Sequence, residues 1–352
     1  MMKNKVKIIV GILSLGLIFG GCKNENSKEN PSSDPTIAYS NKDSNKSNEE
    51  KNKKSDVDKK DQGKVVDGSI NSEILKQNWK YKVYLPNVYD EKSDEKYPVL
   101  YMLHGFGGNS SSIIEKSNTK DMLDKIMKDK ENKMIVVFAD GFSSFFVDSD
   151  YDKKMESAIK EELIKEIDGK YKTDANKTKR AIGGFSVGGY GAASLSLRNP
   201  DLFSKALLIS PTLWDKLDKD SLIRRNYMAF SDGKQMWSDE VYKEKFPSNF
   251  INENTKDINF YIRASEGDSK IKIEDIEKFN KDLEKSEINT QFKKDGKEFD
   301  HDWDYWNKIT EESYMWVLEQ FNKWFLKNSL DLKEIKRIFL FEKSFKIVFY
   351  YK

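Results

Sequence analysis

Arg180-Ala181-Ile182-Gly183-Gly184-Phe185-Ser186-Val187-Gly188-Gly189-Tyr190-Gly191-Ala192 decides the fold. It reads as a short buried strand, a tight turn and the start of a packed helix. Its centre, Gly184-Phe185-Ser186-Val187-Gly188, has the G-x-S-x-G form of a nucleophile elbow, in which a serine at the apex of a strand-to-helix turn takes a strained backbone conformation. Residues two before and two after must be small so that strand and helix can approach. The strain exposes Oγ, and the unpaired amides at the helix start, beginning with Val187, can face a developing oxyanion. Ala192, Ala193, Leu195 and Leu197 supply the packed helix that this reading requires.

Working outward, apolar runs suited to buried strands occur at 97–103, 133–139, 180–183, 205–209 and 259–264, with a further strand at 289–294. Trp79 to Pro86 largely alternates and reads as a strand before them. Between these lie helical patterns at about 112–129, 154–171, 189–198 and 273–285, and an apolar-striped helix at 311–327 closes the series. Strands alternating with helices of this length predict an α/β fold with a mostly parallel central sheet and helices on both faces. Sites in such sheets lie beyond the carboxyl ends of the strands, where Ser186 falls.

Three loops at such ends carry the remaining candidates. Leu103-His104-Gly105-Phe106-Gly107-Gly108 follows a central strand, and the amide of Phe106 is the expected oxyanion partner for that of Val187. His104, one of two histidines, reads as a packed, hydrogen-bonded support and not as the base. The other, His301 in Glu298-Phe299-Asp300-His301-Asp302-Trp303-Asp304-Tyr305-Trp306, follows the last strand and is the expected general base, with Trp303 and Trp306 as candidate support or pocket residues. Arg263-Ala264-Ser265-Glu266-Gly267-Asp268-Ser269 offers two orienting acids, Glu266 and Asp268. Asp268 is favoured because the Gly-Asp-Ser turn projects it. The order Ser186, Asp268, His301 is the one expected of a hydrolase sheet.

With these residues in place, the chain resembles the esterase family of α/β-hydrolases that includes feruloyl and acetyl-xylan esterases, S-formylglutathione hydrolase, iron-siderophore esterases and mycolyltransferases. The resemblance runs from about Trp79 to Trp324. It rests on the elbow, on Leu103-His104-Gly105, Asp140-Gly141, Glu162-Leu163-Ile164, Arg198-Asn199-Pro200-Asp201-Leu202-Phe203 and Ser210-Pro211, and on His301 through Trp306. It implies an α/β-hydrolase fold and a serine carboxylic ester hydrolase, with the family's nucleophile at Ser186, its base at His301 and its acid at Asp268. Where the family has a glycine pair before the histidine and a serine after it, this chain has Phe299-Asp300 and Asp302. The added carboxylates are expected to raise the pKa of the base and to disfavour anionic substrates. An acyltransferase with the same triad, or a glycan-binding lipoprotein with a relict hydrolase fold, are the alternative functions.

The chain has 352 residues, with 61 Lys and Arg against 59 Asp and Glu. A net charge of +2 gives no reason to expect nucleic acid as a partner. Two histidines far apart and one cysteine offer no metal-ligand spacing, and no cofactor is expected. Residues 1–22 begin with Lys3, Lys5 and Lys7, continue through the apolar run Ile8 to Phe19 and end in Gly20-Gly21-Cys22. They read as a signal peptide resembling the bacterial lipoprotein type, with Cys22 the lipidated residue, which predicts an exported, membrane-anchored protein. Residues 23–64 are a polar tether with too little apolar surface to offset the entropy of ordering. Residues 65–328 are the expected esterase domain. Residues 329–352 form a basic, aromatic tail for which a membrane contact, an added element or an ill-formed extension are the readings. Aromatics from Trp214 to Phe250 leave room for a cap over the site or for ordinary core packing.

Overall fold

The computed structural model describes residues 62–128 and 131–329, with side chains up to Asn322. Cys22, the signal segment, nearly all of the tether and the tail from residue 330 lie outside the described residues. Eight strands form one mixed sheet, β1 (Lys64–Ser72), β2 (Gln77–Leu85), β3 (Val99–Leu103), β4 (Ile135–Ala139), β5 (Arg180–Phe185), β6 (Lys205–Ile209), β7 (Asn259–Ser265) and β8 (Thr290–Asp295). Their spatial order is β1-β2-β4-β3-β5-β6-β7-β8. From β4 to β8 every neighbouring pair is parallel, while β1 and β2 form an antiparallel hairpin that joins the sheet through β2 and β4. Every residue of β3, β4, β5 and β6 is buried, as continuous apolar runs require when both faces of a sheet are covered.

The covering helices are α1 (Ser112–Glu115), α2 (Thr119–Ile126), α3 (Met155–Ala158), α4 (Ile164–Lys170), α5 (Val187–Arg198), α6 (Leu222–Asn226), α7 (Asp239–Glu244), α8 (Ile273–Lys285) and α9 (Trp303–Ser329). Two apolar cores result, one on each face. Ile159, Leu163, Tyr190, Ala193 and Phe279 pack in the first, and Leu123, Tyr305, Val317 and Phe321 in the second.

Two helices depart from the sequence expectation for local reasons. The helix expected over 112–129 is interrupted between α1 and α2. There the Ser117 hydroxyl donates to the Ile113 carbonyl and accepts from the Thr119 amide, so a side chain takes hydrogen bonds that a continuing helix would use. The last helix begins at Trp303, not Glu311, because the Asp302 carboxylate accepts the Tyr305 amide at 2.9 Å and caps the first turn. The Glu162 carboxylate accepts the amides of Glu73 and Ile74 at 2.8 and 3.0 Å, fastening the turn of the β1–β2 hairpin to the helical layer.

The aromatics between β6 and β7 are mostly core. Phe230, Trp237 and Tyr242 pack with Phe145 and Tyr190 in a network of edge and stacked contacts 4.8 to 5.8 Å between ring centres, all of them buried. Of the two readings left open for this segment, core packing describes them.

Candidate active site

Ser186 sits between the end of β5 and the start of α5 with φ +56° and ψ −118°, a conformation a side-chain-bearing residue adopts only when its surroundings force it. The forcing contacts are tight. A Cβ at Gly184 would lie 2.3 Å from the Gly188 carbonyl, and one at Gly188 would lie 2.2 Å from the Leu103 carbonyl. The Ser186 amide donates to Ile209 at 2.9 Å, and its carbonyl accepts from Gly189 and Thr212, so strand, helix and the neighbouring loop all grip the apex.

His301 reaches the serine from the loop between β8 and α9. Its Nε2 lies 2.9 Å from Ser186 Oγ, and its Nδ1 lies 2.7 Å from Asp268 Oδ2. The other Asp268 oxygen accepts the amides of Lys270 and Ile271, both at 2.9 Å, which fixes the carboxylate at the end of β7. The Asp268 side chain is 1% exposed and that of His301 10%, so the line from acid to serine is largely shielded from water. Gly267 permits the two loops to meet, since a Cβ there would stand 2.1 Å from the Lys297 carbonyl. Glu266 is exposed and pairs with Lys294 at 3.1 Å, away from the imidazole.

The carboxylates flanking His301 are engaged elsewhere. Asp300 accepts the amides of Ser269 at 2.8 Å and His301 at 2.7 Å; the first of these, then the second, hold its carboxyl below the usual range against partial burial. Asp302 caps α9. Behind the imidazole, Trp306 presents its ring edge-on at 5.1 Å and donates its indole N–H to Ser210 Oγ at 3.1 Å. Trp303 packs on Phe185 and Trp306 and is only partly buried. Beneath this corner Arg263 forks onto Asp295 at 2.8 and 3.0 Å and pairs with Glu312, while Asp295 accepts the Tyr305 hydroxyl at 2.7 Å. That network joins β7, β8 and α9 below the residues that carry Asp268 and His301.

The loop after β3 passes beside the serine: a Cβ at Gly105 would come within 3.4 Å of the Ser186 Cβ. His104 is buried, accepts the Gly141 amide through Nε2 at 2.8 Å, and therefore carries its proton on Nδ1, which donates to the Gly105 carbonyl at 2.8 Å. In a trans peptide the C=O and the following N–H point in opposite directions, so anchoring the Gly105 carbonyl also sets the direction of the Phe106 N–H. Gly108 donates to the same carbonyl at 3.1 Å. Among the described residues the Phe106 and Val187 amides have no hydrogen-bond partner, which leaves both available to an oxygen held at Ser186. Sequence reading missed Tyr227, whose hydroxyl accepts the Gly107 amide at 3.1 Å, because no local pattern announces a contact across 120 residues. Ser210, quoted only as part of a motif, is likewise the partner of Trp306. Among the described residues no group of three or more His, Cys, Asp or Glu is placed to hold a metal ion.

Comparison with known proteins identifies relatives and structures of the same fold. The chain is 30% identical over 200 residues to an endo-1,4-beta-xylanase/feruloyl esterase of Xylanibacter ruminicola, an alignment covering 54% of this chain and 25% of that protein. It is 25% identical over 279 residues to an acetyl esterase of Caldicellulosiruptor saccharolyticus, covering 70% and 95%. The chain thus spans a quarter of the first relative and nearly all of the second. The solved structure of a ferulic acid esterase superposes with a TM-score of 0.62 at 22% identity, covering 74% of this chain and 98% of that one, a likeness of fold. The family described as "Putative esterase" matches residues 72–311, well over half of the sequence, and the chain belongs to that α/β-hydrolase family of esterases.

Proposed function

We propose that the protein is an exported serine esterase that hydrolyses carboxylic esters through an acyl-enzyme, acting on acetyl or feruloyl groups of polysaccharides or on small esters. One observation carries the reading: Ser186 Oγ, the His301 ring and the Asp268 carboxylate form a hydrogen-bonded line at 2.9 and 2.7 Å beside two unpartnered amides. Oγ attacks the ester carbon while His301 Nε2 takes the hydroxyl proton. The carbonyl oxygen becomes an oxyanion and receives the amides of Phe106 and Val187. Asp268 holds the Nδ1 proton in place and stabilises the imidazolium. When the bond to the alcohol breaks, Nε2 returns the proton to the leaving oxygen. Water then adds to the acyl carbon with Nε2 as base, and collapse of the second tetrahedral species expels Ser186, which recovers its proton from His301. The balance is ester plus water giving acid plus alcohol.

The acyl class is supported by the names of the two relatives, one carrying a feruloyl esterase and one an acetyl esterase. Burst release from p-nitrophenyl acetate, followed by turnover on methyl ferulate and acetylated xylan, tests the reading, with Ser186→Ala as control. A burst equal to the enzyme concentration that disappears in the variant is expected; no turnover on any of these esters sinks it. Export and anchoring are supported by the basic, apolar and Gly-Gly-Cys succession of residues 1–22. Cys22→Ala is expected to move the protein from the membrane fraction to the soluble one at unchanged specific activity. Retention of the variant on salt-washed membranes would exclude the lipid anchor.

A further inference from the structure

The segment between β6 and β7 touches the oxyanion loop through one side chain. Tyr227 follows α6, is 2% exposed, and packs edge-on against Phe145 at 5.5 Å. Its ring stacks on Phe106 with centres 5.0 Å apart and planes 28° from parallel. Its hydroxyl accepts the Gly107 amide at 3.1 Å. Burial pushes the phenol up, against the opposing effect of that hydrogen bond, so it stays a neutral hydroxyl through the working range of an esterase.

These contacts complete a restraint that His104 only half supplies. Phe106 lies between two peptide planes. The plane before it contains the Gly105 carbonyl and the Phe106 N–H, and His104 and Gly108 hold that carbonyl. The plane after it contains the Phe106 carbonyl and the Gly107 N–H, and Tyr227 holds that amide. Gly107 has φ +65°, a region open to glycine at little cost, so the loop after Phe106 has alternative conformations within reach unless something pins it. Phe106, 38% exposed, sits on Tyr227 as its ring partner. With the plane before Phe106 held, the hold on the plane after it keeps Phe106 from shifting along the loop and carrying its N–H off the line to the oxyanion. Pre-set donors act because they need no reorganisation when charge develops.

We propose that Tyr227 is a positioning residue for ester hydrolysis, its hydroxyl and ring bracing the oxyanion loop so that the Phe106 amide points at the carbonyl oxygen held on Ser186. The proposal rests on the esterase reading above. It assigns the β6–β7 segment a catalytic support role distinct from a lid over the substrate.

Tyr227→Phe keeps the ring and its stack and removes only the hydroxyl. With p-nitrophenyl acetate, kcat is expected to fall about tenfold with KM within about twofold, a smaller loss than the roughly hundredfold or more of deleting an oxyanion donor outright. Affinity for a trifluoromethyl ketone, which forms a tetrahedral adduct on the serine, should fall in parallel with kcat/KM, while inhibition by the product alcohol should not change. Tyr190→Phe is the control, since that buried hydroxyl donates to the Lys245 carbonyl at 2.8 Å and has no contact with the loop; it should lower the melting temperature and leave kcat unchanged. Unchanged kcat and ketone affinity in Tyr227→Phe overturn the proposal, as does a loss that tracks melting temperature equally in both variants. If Tyr227→Phe fails to fold, Tyr227→His, which retains a ring and a nitrogen acceptor, must restore more kcat than Tyr227→Leu does, or the proposal falls. A wild-type protein inactive toward every ester instead removes the esterase reading itself, an outcome separate from an active wild type with an indifferent Tyr227→Phe.

Discussion

Asp268 and Glu266 stand two residues apart in one turn, yet only one faces the imidazole. A carboxylate that orients the ring and stabilises its charged form should be costly to neutralise, while one paired with a partly exposed lysine should not. Asp268→Asn is expected to lower kcat by roughly a hundredfold or more, toward the roughly 10⁴ of the serine-protease case, with KM nearly unchanged. Glu266→Gln should cost less than about threefold. Steady-state kinetics of both purified variants at pH 8 decides the matter; an inactive Glu266→Gln beside a healthy Asp268→Asn would transfer the role to Glu266. The sequence placed both carboxylates in the right turn. Only the packing of Gly267 against the Lys297 and Phe299 carbonyls shows which of the two turns inward.

At the scale of the element, the elbow depends on backbone contact between β3, β5 and α5. A methyl group at Gly188 would meet the Leu103 carbonyl at 2.2 Å and that of His104 at 2.7 Å, and backbone cannot yield as a flexible side chain can. Gly188→Ala is therefore expected to destabilise the fold by roughly 3 kcal/mol, at the upper end of overpacking costs, and to move the oxyanion loop away from Ser186. Urea denaturation gives the first effect, and a kcat loss beyond what the unfolded fraction explains gives the second. A variant of wild-type stability and kcat would contradict the described approach of loop and helix. Gly169, whose added Cβ would meet nothing within 4 Å, is the matched control. Gly169→Ala in α4 should be neutral or slightly stabilising.

Across the whole molecule, the chemistry occupies the carboxyl edge of the sheet, and a buried, pH-sensitive amine occupies the opposite one. Lys205 opens β6 with 4% exposure, donates to the Thr178 carbonyl at 2.7 Å and to Ser204 Oγ at 2.8 Å, and lies 5.0 Å from the centre of the Phe321 ring. Burial, aided by the nearby Lys179, lowers its pKa to about 7. The folded value thus lies below the roughly 10.4 of an unfolded lysine. Between pH 7 and 10 the unfolded chain binds the proton that the folded chain has released, so stability from this group rises with pH; below pH 7 both states hold it and the slope vanishes. Relative to Lys205→Met, wild-type stability should climb by up to about 1.4 kcal/mol per pH unit across that window. Urea midpoints of both proteins at pH 6, 8 and 9.5 measure it, and parallel curves would show that the amine stays charged in the fold.

The alternation of buried strands and helices, the strained serine and its base are legible from local patterns: continuous apolar runs, small residues two either side of Ser186, and a histidine after the last strand. Local signals also misled. The run 112–129 has helical periodicity throughout, but Ser117 diverts the backbone hydrogen bonds, and the cap that starts α9 at Trp303 lies in an acidic stretch read as loop. Which way the shared turns face is settled only in the packed fold. That packing sent Glu266 to Lys294 and Asp268 to His301, spent Asp300 and Asp302 on backbone amides, turned most of the aromatics between β6 and β7 into core, and brought Tyr227 to a loop 120 residues away. Such pairings depend on which surfaces remain after the sheet and its helices have packed, and that is a property of the assembled layers, not of any stretch of chain.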